Sequence, residues 1–310
     1  MKKIFIDGKA GTTGLRIYDR LANRDDIELI CLSEEERKLP EARKKAINSA
    51  DAAFLCLPDD AAREAVSFVE NPNVVIIDTS TAHRTESGWA YGFPELSADF
   101  EKKIKKSNRI AVPGCHASGF IALVYPLVES GIISPDTLLV CHSITGYSGG
   151  GKKMIAQYEG EDRDFLLGAP RQYGITQKHK HLKEMKAVSG INNEPVFCPI
   201  VADFYSGMEV TVPLFAKNLN KGKSIDDIKK AYSTKYNGNI VSFSEASDED
   251  GFMSAAKLTG KDSMEISVCG NEDRILLIAR YDNLGKGASG AAVECLNIAI
   301  GVEKTKCLEL

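Results

Sequence analysis

The chain is poor in several things, and each scarcity narrows what it can be. None of its apolar runs nears the roughly 18 residues of a membrane-crossing helix, so no membrane span is expected. Charge of one sign is also scarce. Lys and Arg number 39 against 43 Asp and Glu, and no basic block is interleaved with aromatics, which argues against a nucleic-acid partner. The eight cysteines (Cys31, Cys56, Cys115, Cys141, Cys198, Cys269, Cys295 and Cys307) include no CxxC pair, so neither a zinc site nor any other metal site is expected. Several sit inside apolar runs such as Phe54-Leu55-Cys56-Leu57, as reduced, buried thiols do, and a cytoplasmic location follows as the expectation. The basic start Met1-Lys2-Lys3 is followed by only three apolar residues before Asp7, too few for a signal peptide, and reads instead as a first strand.

What is present begins with alternation. Apolar runs at 3–6, 27–32, 52–57, 74–78 and 109–112 read as strands, with helices over 12–21 and from Pro58-Asp59-Asp60 to Val69. Unalternating strands separated by helices predict an α/β fold built on a doubly wound parallel sheet of Rossmann type. From about residue 138 the pattern changes. Strand-like runs at 138–144, 196–201, 208–214, 264–268 and 274–280, with a helix over 224–236, predict an α+β domain with a mostly antiparallel sheet. The expected division is a dinucleotide-binding domain over 1–115 and a catalytic and oligomerisation domain over 116–285. A last helix, at about 286–304, is expected to pack back on the first domain.

Three segments carry candidate chemistry. Gly8-Lys9-Ala10-Gly11-Thr12-Thr13-Gly14 follows the first strand and opens a helix; its glycines permit the tight turn and bring a pyrophosphate to the helix N-terminus. The second strand ends at Ser33, where an NAD site usually has an acidic residue. Ser33 with Arg37 and Lys38 suits the 2′-phosphate of NADP, while Glu34, Glu35 and Glu36 beside them leave open a reading of the basic pair as solvated helix charges. Pro113-Gly114-Cys115 places a cysteine at the start of a buried, apolar helix, where the helix dipole favours the thiolate and so a nucleophile. His179, His181 and Glu184 form the third cluster. One imidazole could serve as acid/base with Cys115, oriented by the carboxylate, and the other could donate to an oxyanion, although a basic surface loop is an equal reading of the spacing alone. Two further loops, Thr145 to Lys153 and Ser80 to Arg84, offer flexible backbone, hydroxyls and cations for phosphate or carboxylate groups.

Taken in order, these motifs are similar to those of the short-type N-acetyl-γ-glutamyl-phosphate reductases of arginine biosynthesis. The likeness runs nearly end to end, through Cys56-Leu57-Pro58-Asp59-Asp60, Asp78-Thr79-Ser80-Thr81-Ala82-His83-Arg84, Gly146-Tyr147-Ser148-Gly149-Gly150-Gly151-Lys152, His179-Lys180-His181 and Asn283-Leu284-Gly285-Lys286-Gly287. The resemblance implies NADPH-dependent reduction of an acyl phosphate, a small-molecule substrate, to a semialdehyde through a Cys115 thioester. It implies His181 as the base beside Cys115, oriented by Glu184, and His179 as the oxyanion donor. Gly8, Gly11, Thr12, Thr13, Gly14, Ser33, Arg37, Pro58, Ser80, Asn283 and Gly287 are the candidate NADP-binding residues. Arg84, Ser148, Gly149 and Lys152 are the candidate substrate-binding residues. A homodimer or homotetramer is expected. The family commonly has proline where this chain has Lys183, which touches the shape of the loop before Glu184. His116 and Ala117, beside the cysteine, suggest no chemical role. Two other readings share parts of this pattern: an aspartate-semialdehyde dehydrogenase, with the same thioester logic, and a non-catalytic NADP-binding redox sensor.

Overall fold

Four short runs of Ile, Phe, Leu and Ala, buried on both faces, dictate the first sheet. The computed structural model describes all 310 residues, which fall into two compact units: Met1–Gly114 with Ala288–Leu308, and Cys115–Gly287 with Glu309–Leu310.

In the first unit the elements run β1 (Lys2–Asp7), α1 (Thr12–Leu21), β2 (Ile27–Ile30), α2 (Pro40–Ser49), β3 (Ala52–Leu55), α3 (Asp59–Ser67), β4 (Val75–Asp78), β5 (Ala90–Tyr91), α4 (Ala98–Lys106) and β6 (Arg109–Ala111). All six strands are parallel, in the order β2-β1-β3-β4-β6-β5. Such a sheet must be covered on both faces, and the core divides accordingly. One cluster joins Ile4, Ile6, Phe54 and Ile77 to Ile17 and Leu21 of α1. The other joins Phe5, Leu55 and Ile76 to Ala46, Ile47, Ala62 and Ala65 of α2 and α3. The last helix of the chain (Gly290–Ile300) belongs to this unit and adds Ala291, Val293, Leu296 and Ile298 to the first cluster. The buried Arg24 donates to Asn297 of that helix at 2.6 Å.

The second unit begins with α5 (Cys115–Glu129), continues through β7 (Val140–Gly146), α6 (Gly151–Glu159), β8 (Arg171–Gln172), α7 (His181–Ser189), β9 (Val196–Ala202), β10 (Met208–Phe215), α8 (Ile225–Lys235) and β11 (Val241–Phe243), and closes with β12 (Met264–Gly270) and β13 (Arg274–Tyr281). Its sheet is mixed and mostly antiparallel, ordered β11-β12-β13-β10-β7-β9-β8; only β11 with β12 and β7 with β9 run parallel. Helix α5 is apolar almost throughout and lies against β10 and β13. Gly119 permits that approach, since a Cβ there would stand 2.7 Å from the Tyr281 hydroxyl. Tyr232 and Tyr236 of α8 donate to the Leu123 and Ala122 carbonyls of α5 at 2.5 and 2.7 Å, fixing its far side. Ser224 and Asp227 form a reciprocal cap that starts α8.

Candidate active site

The nucleotide half is built by β1 and the turn after it. Gly8 has φ +84°, and a Cβ there would stand 2.2 Å from the Cys56 carbonyl oxygen, so only glycine fits. A Cβ at Gly14 would meet the Gly8 carbonyl at 2.5 Å, which seats α1 directly on the turn. The Gly11 N–H donates to the Gly8 carbonyl at 2.9 Å, and Gly11 caps α1, leaving the amides of Thr12 and Thr13 at the open helix end. Beyond this turn lies a cleft of about 490 Å³, lined by Gly8, Lys9, Ala10, Leu32, Glu34, Arg37, Lys38, Arg43, Leu57 and Ala61 among others. Arg43 at its edge donates to Asp7 and Glu64 at 2.9 Å each, while its buried Nη2 has no hydrogen-bond partner. A turn closed to any side chain, open helix amides and a cation-lined cleft fit an adenine dinucleotide.

The other candidate nucleotide residues of this unit sit at the carboxyl edge of the sheet. Ser33 accepts from the Glu36 N–H at 3.2 Å and donates its own N–H to the Glu36 carboxylate at 2.9 Å. Arg37 pairs with Glu34 at 2.7 Å, both largely exposed. Pro58 caps α3. Ser80 donates to Asp78 at 2.7 Å, and Asp78 also holds His83 Nδ1 at 2.6 Å, with the His83 ring stacked on Trp89. Arg84 spends two donors on backbone, Nε to the Val112 carbonyl at 2.9 Å and Nη2 to Thr79 at 3.0 Å. It therefore fixes the strand that leads through Pro113-Gly114 to Cys115.

The second unit assembles the candidate chemistry. Cys115 is the first residue of α5 and half-buried. The Tyr281 hydroxyl donates to the Cys115 carbonyl at 2.6 Å and accepts the Gly119 N–H at 3.0 Å, pinning the helix's first turn. Burial, then the nearby Cys115, pushes the Tyr281 phenol well up, so it stays a neutral donor. Gly287 lies against the cysteine: a Cβ there would come within 3.1 Å of the Cys115 Cβ. Burial pushes Cys56 up to about 12 and raises Cys141 as well, which leaves both thiols protonated.

Helix α7 packs on α5 and opens with His181, with Glu184 three residues on and both buried. A carboxylate in the first helical turn is favoured by the dipole, and i,i+3 spacing keeps it on the His181 face. The His181 N–H donates to His179 Nδ1 at 3.2 Å, and the two rings lie 4.7 Å apart. Burial and then Lys180 push the His179 imidazole down. Gln177, at φ +54°, anchors this loop: its side-chain amide bonds both the carbonyl and the N–H of Phe197, at 2.7 and 2.9 Å.

In the Gly-rich segment between β7 and α6, Ser148 is buried and accepts from Asn283 Nδ2 at 3.1 Å. Asn283 also accepts the Gly207 N–H at 2.9 Å, and Gly149 lies beside it. Lys152 is exposed at the start of α6.

Sequence reasoning missed His116. It is buried, with Nδ1 at 2.6 Å from Ser143 Oγ and Nε2 at 2.6 Å from the Tyr173 hydroxyl. Its ring lies 6.1 Å from His179, 5.6 Å from His181 and 5.4 Å from Phe197. A histidine inside so apolar a helix run was the available signal.

The sequence matches two family descriptions, "Semialdehyde dehydrogenase, NAD binding domain" over residues 3–105 and "Semialdehyde dehydrogenase, dimerisation domain" over 115–283. An N-acetyl-gamma-glutamyl-phosphate reductase of Trichormus variabilis is 45% identical over 97% of each chain. That of Rhizobium meliloti is 44% identical over 96% of this chain and 98% of its own. This chain belongs to the N-acetyl-γ-glutamyl-phosphate reductases of the semialdehyde dehydrogenase family. Among solved structures, aspartate semialdehyde dehydrogenase II of Vibrio cholerae, complexed with ASA, superposes with a TM-score of 0.74 at 15% identity, covering 97% of this chain and 98% of its own. The Candida albicans enzyme with NADP gives 0.65 at 16% identity, covering 96% and 98%. Both share the fold of this reductase family.

Proposed function

We propose that this chain reduces N-acetyl-γ-glutamyl phosphate to N-acetylglutamate semialdehyde, with release of phosphate and oxidation of NADPH, in arginine biosynthesis. The observation that carries the reading is its alignment with reductases of that name at 43–45% identity over almost all of both chains.

The residues supply the chemistry in sequence. Cys115, at the positive end of α5, attacks the acyl carbon as thiolate. Its new C–S bond replaces the C–O bond to phosphate, which leaves with the bonding electrons. Bound NADPH supplies the hydride that the thioester carbon takes up. His179 stabilises the resulting oxyanion by hydrogen bonding. Collapse of that oxyanion to the aldehyde breaks the C–S bond and returns the electrons to Cys115. His181, oriented by Glu184, takes the thiol proton at the start and returns it at the end. Gly8, Gly11, Thr12, Thr13 and Gly14 hold the pyrophosphate, with Pro58 and Ser80 at the neighbouring strand ends and Asn283 and Gly287 on the nicotinamide side. Ser33 and Arg37 read the 2′-phosphate, supported by the position of Arg37 and Lys38 on the cleft wall. Ser148, Gly149 and Lys152 receive the substrate's anionic groups, while Arg84 acts through the backbone it holds.

The second unit is also the oligomerisation surface of a dimer or tetramer. Val196, Phe215 and Leu276 are exposed and, by strand register, lie on the sheet face opposite α5, a surface that a second copy would cover. No helix is long and apolar enough to cross a membrane. A cytoplasmic location is supported by the eight cysteines, all of them free thiols.

The reaction run backwards tests the substrate. N-acetylglutamate semialdehyde, NADP and phosphate should give phosphate-dependent formation of NADPH, at a rate far above that with aspartate semialdehyde. Preference for aspartate semialdehyde would move the chain to the sister activity, and cofactor binding without turnover of either would make it a sensor.

A further inference from the structure

The neighbour of the nucleophile is a buried titratable group, held on both sides, that the mechanism leaves unused. His116 is 3% exposed. Its two ring nitrogens are engaged on opposite sides, by Ser143 of β7 and by Tyr173 in the segment after β8, both at 2.6 Å. Phe197 of β9 packs edge-on against it, and the rings of His179 and His181 lie within 6.1 Å. Four segments distant in sequence thus meet on one imidazole, and its residue follows Cys115 directly in the chain.

We propose that His116 is a positioning residue for the thioester chemistry: held between Ser143 and Tyr173, it sets the placement of the His179 and His181 imidazoles relative to Cys115. This rests on the thioester reading above. A ring of this shape is suited to the task. In a neutral imidazole one nitrogen donates and the other accepts, and a hydroxyl can answer either, so a bond on each side is met in both tautomers and fixes the rotations of the ring. A phenylalanine would fill the volume and leave Ser143 and Tyr173 without their partner. The titratable groups around His116 are Cys115 before it, Tyr173, His179 with Lys180 beside it, and His181 with Glu184 one turn on. Burial first, and His179 second, push His116 down to about 3. It is therefore uncharged through the working range, and it neither donates charge to the thiolate nor acts as the base. Its action is geometric. Misplacing catalytic groups by about 1 Å can cost roughly a hundredfold in rate, so loss of both ties should lower kcat by about tenfold to a hundredfold with KM little changed.

The test compares wild type with His116→Phe, which loses both ties, His116→Gln, which can restore the bond to Tyr173, and Ser143→Ala, which removes one tie from outside. Two quantities are read on each folded full-length enzyme: kcat and KM in the reverse reaction, and the pH dependence of Cys115 alkylation by iodoacetamide. The alkylation midpoint needs no substrate, so it separates failure of this proposal from failure of the assigned activity. The expected result is a midpoint moved upward in His116→Phe, partly restored in His116→Gln, with Ser143→Ala between wild type and His116→Phe, and kcat following the same order. An unmoved midpoint in all three variants, with only their stability lowered, would overturn the proposal. If His116→Phe fails to fold, Ser143→Ala decides alone.

Discussion

The two units encode their chemistry in different ways. In the first, the candidate nucleotide cradle is seven consecutive residues, Gly8 to Gly14, and its geometry is enforced by contacts within the turn and with Cys56 just after β3. In the second, residues 115–116, 143, 173, 179–184 and 281–287 come together only when the mixed sheet and α5 have packed. A local motif states both the residues and their arrangement. A tertiary cluster states only the residues, and the arrangement waits for the fold. The difference implies that the cradle should be damaged by changing a single backbone position, while the catalytic cluster should be tuned by side chains that never touch substrate.

The largest effect should fall on the second unit alone. Cys115→Ala should abolish turnover, by at least about a thousandfold, because no other group can form the thioester. Cofactor binding, followed by quenching of the chain's one tryptophan, Trp89, or by calorimetry, should be unchanged. Loss of cofactor binding in this variant would break the separation of the two halves.

Gly8→Ala is the converse. A methyl group 2.2 Å from the Cys56 carbonyl, at φ +84°, must push the turn apart. The expected cost is about 2–4 kcal/mol of stability, with cofactor affinity largely lost, read by thermal melting and calorimetry. Cys115 alkylation should survive in the folded fraction.

A smaller effect separates the two by pH. His116 has its pKa depressed in the folded chain from 6.5 to about 3, so the unfolded chain binds a proton that the folded one refuses. Stability from this group is complete above about pH 6.5 and falls as the pH drops toward 3, with a slope of at most about 1.4 kcal/mol per pH unit. Denaturant melts at pH 7 and pH 5 should show wild type losing more stability than His116→Phe. Equal losses would mean that the imidazole is not held neutral.

The smallest effect expected is at Arg37. Its pair with Glu34 is exposed, and such pairs contribute about 1 kcal/mol or less. Arg37→Ala should leave stability within about 0.5 kcal/mol and reduce the preference for NADP over NAD by roughly tenfold. An unchanged preference would shift the 2′-phosphate contact to other cations of the cleft.

How much could be read in advance follows the same division. Strands β1 and β3 of the parallel sheet are legible because Ile4-Phe5-Ile6 and Ala52-Ala53-Phe54-Leu55 are uninterrupted apolar runs, and the capped helix over Ile225–Lys235 because Ser224 and Asp227 announce it. Helix α4 escaped because Lys102, Lys103, Lys105 and Lys106 dominate it and only Ile104 is buried. Helix α2 buries three residues in ten and is introduced by Pro40, a weak signal. Strands β5 and β8 have two residues each and exist only through their neighbours. Cys115, His179, His181 and Glu184 stand out in the sequence as candidates because each lies in a short local motif. The two ties of His116 are not legible in this way, since Ser143 and Tyr173 are 27 and 57 residues away from it. Nor could the chain order announce that Tyr281, 166 residues on, clamps the Cys115 carbonyl.

The central claim is that Cys115 carries the acyl group. Enzyme mixed with N-acetylglutamate semialdehyde and NADP, with phosphate withheld, can oxidise the aldehyde once but cannot release the acyl group to phosphate. The account predicts a burst of one NADPH per active site and an N-acetylglutamyl adduct located on Cys115 by mass spectrometry, discharged when phosphate is added. Steady turnover without phosphate, or an adduct on any other residue, would contradict it.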